Sequence, residues 1–295
     1  MKRIDTIAGL RASLDAARAE GRSVGFVPTM GYLHEGHVSL MRAARRDTDV
    51  VVSSVFVNPL QFAANEDLDD YPRDLERDSE LATAAGVDVL FVPSTTEMYP
   101  DDHPIATTVT VTGASEGFEG ASRPSHFAGV ATVVAKLFSI VGPCAAYFGE
   151  KDFQQLSVVR RMVADLSMPV EVVGCETVRE PDGLAMSSRN AYLTEAQRAA
   201  APVVSRALRT AADAIRAGET DPSAVRRVMA DIVAADTGPE TDSELDYADV
   251  VDAVSFATPD PLAGDLRLLI AVRFASTRLI DNVGVTAPVA PTRGS

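Results

Sequence analysis

A doubly wound α/β fold, with a parallel sheet covered by helices on both faces, is what this sequence predicts. Three observations predict it. Short apolar runs lack polar alternation, as strands buried on both faces do. Segments with apolar residues at three- and four-residue spacing separate them, as amphipathic helices would. The two patterns alternate through the first 175 residues and then stop.

Taken in order, Asp5 is expected to cap a first helix with Ile7, Leu10 and Leu14 on one face, ending near Gly21. Residues 24–28 (VGFVP) read as a buried strand and 37–47 as a helix. Residues 49–57 (DVVVSSVFV) form the next strand, followed by a polar loop and a helix across 74–85. A strand follows at 87–92 (VDVLFV), while 105–112 (IATTVTVT) alternate differently and are expected to form a hairpin excursion. Across 126–141, Val130, Val133, Val134, Leu137, Phe138 and Val141 give a strong helical pattern. Strand 145–148, helix 153–167 and strand 170–174 complete the series. A Rossmann-like sheet of this kind takes its ligands at the carboxyl ends of the strands, near a switch in strand order.

After about residue 176 the pattern changes. Thr194-Glu195-Ala196-Gln197 is a capping box opening a helix with Val204, Leu208, Ala211 and Ile215 on one face. Asp221-Pro222 starts another, carrying Val225, Val228, Met229, Ile232 and Val233. Strand-like segments follow at 245–251 and 267–274. The expected organisation is a Rossmann-like domain over 1–175, a smaller α+β domain over 176–285, and a disordered tail over 286–295.

Bulk properties narrow the function. At 295 residues, 46% hydrophobic and 23% charged, the chain can bury a real core. No segment resembles a secretion signal or membrane span, and Cys144 and Cys175 fit no metal or redox spacing, so a cytoplasmic protein with reduced thiols is expected. A net charge of −15 argues against a nucleic-acid partner. It leaves room for a small phosphorylated ligand where cations gather locally. Lysine occurs only at Lys2, Lys136 and Lys151, and Lys151 follows an apolar strand.

Five stretches could carry chemistry. In VPTMGYLHEGH, His34 and His37 are three residues apart, the wrong spacing for the H-E-x-x-H zinc pattern. An isolated H-x-x-H more often merely caps a helix. Here it follows a strand and opens a helix, where exposed amides, the helix dipole and two imidazoles on one side suit a phosphate. Gly149-Glu150-Lys151-Asp152-Phe153-Gln154-Gln155 also follows a strand end, which points it into the same crevice. Met186-Ser187-Ser188-Arg189-Asn190 lies between the domains, with hydroxyls and an arginine able to hold a triphosphate. Arg123-Pro124-Ser125-His126-Phe127 and Asn58-Pro59-Leu60-Gln61-Phe62 complete the set. The acidic run Glu66-Asp67-Leu68-Asp69-Asp70 reads as a solvated loop.

Together these stretches resemble the pantothenate synthetase (pantoate–β-alanine ligase) family over nearly the whole chain. VPTMGYLHEGH, FVNPLQF, EGASRPSHFAGV, YFGEKDFQQL, DGLAMSSRN and RLIDN match in family order. The family sits in a nucleotidyltransferase superfamily whose HIGH and KMSKS motifs H34-E-G-H37 and M186-S-S-R-N190 resemble. The resemblance implies condensation of pantoate with β-alanine through a pantoyl adenylate, with ATP and Mg2+, in a homodimer. It implies that His34, His37, Lys151 and Arg189 are catalytic, and that Met30, Gly149, Asp152, Val178, Met186, Ser187 and Ser188 join them in binding ATP. Pantoate falls to Met30, Asn58, Gln61 and Gln155, and the β-alanine and phosphate region to Arg123 and His126. Asp78 is the candidate magnesium ligand. The insertion Asp101–Pro104 carries no family expectation. Two other readings compete: an HxGH nucleotidyltransferase that leaves the nucleotide on its product, and a catalytically silent nucleotide-binding paralogue. The first would lack the Gln61/Gln155 pair; the second would have lost at least one motif residue.

Overall fold

The computed structural model describes residues 1–63, 68, 71–100 and 105–288. The chain divides into two compact units, Met1–Thr177 and a second beginning at Val178. The first unit runs β1 (Lys2–Ile4), α1 (Ile7–Ala19), β2 (Val24–Thr29), α2 (Glu35–Asp47), β3 (Val50–Val55), α3 (Leu75–Ala84) and β4 (Val89–Phe91). The short helices α4 (Thr95–Met98) and α5 (Phe118–Ser122) follow, then α6 (His126–Val141), β5 (Cys144–Gly149), α7 (Phe153–Asp165) and β6 (Val170–Cys175).

These strands make one parallel sheet in the order β1-β4-β3-β2-β5-β6. The doubly wound reading therefore stands. Successive strands β2, β3 and β4 step one way and β5 and β6 the other, so the order reverses between β2 and β5. Ligands of such sheets bind at that reversal. On one face, Val38, Met41 and Ala44 of α2 pack with Val27, Val51 and Leu90 of the strands. Helix α6 is buried nearly all round, as a helix hydrophobic on every side must be.

Several local expectations need correcting. The cap of α1 is Thr6, whose hydroxyl accepts from the Gly9 amide, and not Asp5. Strand β1 is only three residues long, too short to show a pattern. Residues 105–112 form no hairpin: the segment has no strand, the Val109 amide donates to Thr132 Oγ1 of α6 at 2.9 Å, and Val111 is buried. Its alternation reflects packing on a helix.

The second unit contains α8 (Glu195–Ala200), α9 (Val203–Arg216), α10 (Pro222–Asp236) and the antiparallel sheet β7 (Ser243–Asp252), β8 (Asp265–Phe274), β9 (Thr277–Thr286). Its core joins Val204, Leu208, Ala211 and Ile215 of α9 to Leu268, Ile270 and Val272 of β8. The Thr194 capping box is present, but it opens α8 only. Pro202, which lacks an amide proton, separates α8 from α9 where one helix was expected. A third strand, β9, was also not foreseen, because buried Asp281 and Asn282 interrupt its apolar pattern. Thr286 ends that strand and pairs with Asp265, so the expected tail starts too early. Residues 289–295, the Asp101–Pro104 insertion, and Glu66, Asp67, Asp69 and Asp70 of the acidic run lie outside the described residues.

Candidate active site

The HEGH loop leaves the carboxyl end of β2, and Gly149, Lys151 and Asp152 leave that of β5. The fold thus delivers both to the reversal in strand order. Their charges are felt across the gap. Burial, with Lys151 adding to it, lowers the His34 pKa to about 4. Burial, then the neighbouring His34, lowers that of His37 to about 3. Both rings are therefore neutral at pH 7. Their centroids are 4.1 Å apart.

Hydrogen bonds fix which nitrogen of each ring carries the proton. His34 Nδ1 accepts from the Gly36 amide at 3.2 Å, and His37 Nδ1 accepts from the His34 amide at 3.3 Å. A neutral imidazole accepting at Nδ1 carries its hydrogen on Nε2. The helix-capping role of an isolated H-x-x-H is thus present, and it presets two Nε2–H donors. Gly36 is required for space: a Cβ there would stand 2.8 Å from His34 Cε1.

Several main-chain amides of the loop, by contrast, already have partners inside the protein. The Gly31 amide donates to Thr29 Oγ1 at 3.2 Å, and the His37 amide to the His34 carbonyl at 2.8 Å. Those of Tyr32 and Leu33 donate to the two oxygens of Asp78 at 2.8 and 2.6 Å. Asp78 is 1% exposed. Each carboxylate oxygen thus accepts from one backbone amide, a role the sequence reading of Asp78 as a magnesium ligand did not foresee. Among the described residues no group of three or more His, Cys, Asp or Glu side chains is placed to hold a metal ion.

A second cluster forms around Gln61. Its Oε1 accepts from Asn58 Nδ2 at 3.2 Å, which turns Nε2 towards Met30 Sδ, also at 3.2 Å. Asn58 is itself held by Tyr99, whose hydroxyl donates to Asn58 Oδ1 at 2.9 Å. Lys136 lies 5.5 Å from the centre of the Tyr99 ring. Tyr99 was invisible to sequence reasoning because it stands 41 positions from its partner. His126 Nδ1 lies 3.1 Å from the Gln61 carbonyl, and Arg123 Nη1 lies 3.2 Å from His126 Nε2. Proton on Nδ1 and acceptor at Nε2 satisfy both contacts. The structure therefore brings Met30, Asn58, Gln61, Arg123 and His126 together.

The adjacent glutamines of α7 differ sharply. Gln154 is buried and holds the 114–119 segment through Glu119 N and the carbonyls of Ala114, Glu116 and Gly117. Gln155, the pantoate candidate, is half-buried. Met30, Gly31, Phe56, Arg73, Asp78 and Ser94 also line a cavity of about 300 Å³ at the carboxyl ends of β2, β3 and β4.

Val178, Met186, Ser187, Ser188 and Arg189 belong to the second unit. There the Met186 amide donates to the Val178 carbonyl at 3.0 Å, closing a hairpin. Arg179 pairs with Asp281 of the RLIDN strand at 2.6 and 3.0 Å and donates to the Gly183 carbonyl at 3.0 Å. Ser187 Oγ accepts from the Arg189 amide at 3.2 Å, and Asn190 Nδ2 donates to the Ala185 carbonyl at 3.1 Å. The RLIDN motif thus anchors the base of the MSSRN loop.

Comparisons with known proteins agree with one another. The model of the pantoate-beta-alanine ligase family matches residues 2–284. The pantothenate synthetase of Moorella thermoacetica is 54% identical, the match covering 96% of this chain and 98% of that protein. The crystal structure of pantothenate synthetase from Thermus thermophilus superposes with a TM-score of 0.89 at 50% identity, covering 96% of this chain and 99% of that one. That of pantoate-beta-alanine ligase from Francisella tularensis, complexed with beta-gamma ATP and beta-alanine, gives 0.76 at 32% identity, covering 96% and 97%. With its motifs in order on the matching fold, the chain belongs to the pantoate–β-alanine ligase family.

Proposed function

We propose that the HEGH loop and Lys151 carry the adenylation half of an ATP-dependent ligase that joins pantoate to β-alanine. The supporting observation is a pair of neutral imidazoles, each with its proton on Nε2, beside a lysine at the reversal in strand order. Neutral donors align phosphate oxygens; the offsetting positive charge is that of Lys151 and of Arg189.

In the first step a pantoate carboxylate oxygen attacks the α-phosphorus of ATP. An O–P bond forms, the bond to the bridging oxygen breaks, and pyrophosphate leaves. A carboxylate is already nucleophilic, so the protein supplies alignment and charge compensation. In the second step the β-alanine amine attacks the acyl carbon, a C–N bond forms, AMP departs, and the amine's proton passes to solvent.

Gln61 Nε2, oriented by Asn58 and Tyr99, and Gln155 bind pantoate, with Met30 lining the pocket. Asp152 and the Gly149 backbone hold the ribose. Val178, Met186, Ser187, Ser188 and Arg189 bind ATP. Arg123 and His126 serve the β-alanine and phosphate region. Mg2+ accompanies the triphosphate, with no ligand assigned among the described residues. The enzyme acts in the cytoplasm as a homodimer. Isotope exchange between pyrophosphate and ATP tests the reading: it should require pantoate alone, and AMP should appear only when β-alanine is also present. Absence of exchange with pantoate would remove the adenylate.

A further inference from the structure

We propose that Asp78 is a positioning residue for adenylation: it fills the backbone concavity ahead of the histidines and thereby sets where His34 and His37 stand. The inference rests on the adenylation reading above. Gly31 and Tyr32 both have positive φ, +86° and +50°, a conformation that a residue with a side chain adopts at an energetic cost. Two such residues in succession turn the following amides, of Tyr32 and Leu33, towards one point. Successive amides of this kind form an anion-binding nest. The occupant here is internal, one carboxylate oxygen per amide, from a side chain 45 positions further along the chain.

Helix α3 grips this turn in more than one way. Arg77 sets its guanidinium carbon 5.4 Å from the centre of the Tyr32 ring. A Cβ on Gly31 would stand 3.0 Å from Asp78 Oδ2 and 2.9 Å from Val55 Cγ1, so the turn has no room to shift towards the sheet. Leu33, whose amide Asp78 holds, is fully buried and directly precedes His34. The carboxylate is therefore one residue from the first ring. Filling the nest also has an exclusionary effect. A phosphate oxygen that would otherwise settle on the Tyr32 and Leu33 amides meets a negative charge and is directed to the ring nitrogens.

Two variants test this. Asp78→Ala empties the nest, and Asp78→Asn keeps the shape but leaves one amide facing an NH2 group. Two half-reactions are measured on each folded variant: pyrophosphate–ATP exchange with pantoate, and attack of β-alanine on supplied pantoyl adenylate. Exchange should fall about 10²-fold, the scale of a misplacement of about 1 Å. The second half-reaction should stay within about threefold, because no new bond to phosphorus forms in it. Adding Tyr32→Gly to Asp78→Asn should recover part of the exchange, since glycine accepts positive φ without the carboxylate's help. If Asp78→Ala does not fold, Asp78→Asn and its Tyr32→Gly partner carry the same comparison. Parallel loss of both half-reactions, or exchange near that of the unchanged protein, would overturn the proposal. Failure of exchange in the unchanged protein would instead overturn the adenylation reading itself.

Discussion

The HEGH loop and the MSSRN loop are built on opposite electrostatic plans. In the first unit, residues 31–37 are held by a buried carboxylate with backbone amides as its partners, and they present neutral rings. In the second, the 178–190 segment is held by an Arg179–Asp281 ion pair and presents a charged arginine, Arg189. Under the function proposed above, the difference separates alignment from charge: rigid neutral donors need not reorganise as charge shifts in the transition state, while arginine supplies attraction.

Four experiments would break or sharpen this contrast. The largest effect is expected at Lys151, whose charge helps to lower the pKa of both rings. Lys151→Ala should lower exchange by about 10²–10³, the usual scale for one electrostatic donor. A rate near normal would remove Lys151 from its proposed charge role. Next comes Asp281→Ala, which strands the guanidinium of Arg179 at a largely buried site; a loss of about 3 kcal/mol in urea unfolding is expected. A loss well under 1 kcal/mol would mean that the pair is dispensable as an anchor.

The third experiment uses pH. Both histidine pKa values are lower folded than the unfolded value of 6.5, so the unfolded chain binds more protons below that pH. Their stabilisation is complete above pH 6.5 and is lost as pH falls towards 4 and 3. Between pH 6.5 and 5.5 each should remove about 1 kcal/mol in the absence of ATP. No histidine stands beyond His126, so this response belongs to the first unit. Urea midpoints of the unchanged protein and of the His34→Gln, His37→Gln double variant decide it; equal pH slopes would mean the rings are not buried neutral. The smallest effect is at Tyr99. Tyr99→Phe removes one hydrogen bond, worth about 1 kcal/mol, and should raise KM for pantoate by up to about tenfold with kcat little changed. A KM for ATP that rose equally would dissociate Tyr99 from Gln61.

What the sequence disclosed follows from which signals are local. Helix α6 was legible because Val130, Val133, Val134, Leu137, Phe138 and Val141 repeat at three- and four-residue spacing, a signal local to the segment. The strand ends bearing HEGH and GEKD were legible because buried parallel strands are uniformly apolar. Strand β9 was hidden by Asp281 and Asn282, whose burial depends on distant arginines, Arg179 and Arg267. The roles of Asp78 and Tyr99 were hidden for a similar reason: their partners are backbone amides or side chains more than 40 positions away. Gln154 and Gln155 are indistinguishable as letters, and only the turn of α7 separates a buried clamp from a half-buried donor. Even at the capping histidines one feature was hidden. Of the amides around that turn, those of Gly31, Tyr32, Leu33, His34, Gly36 and His37 already have internal partners.

Gly36 shows the trade-off in a single methyl group. Its backbone lies in α2, where alanine would suit the helix better by roughly 0.5–1 kcal/mol. The missing methyl is the space in which the His34 ring lies against the main chain. A screen that rewarded heat resistance alone would favour helix formers along α2, and a substitution here would push the ring from its seat. The protein keeps a weaker helix start so that its first imidazole can point one way.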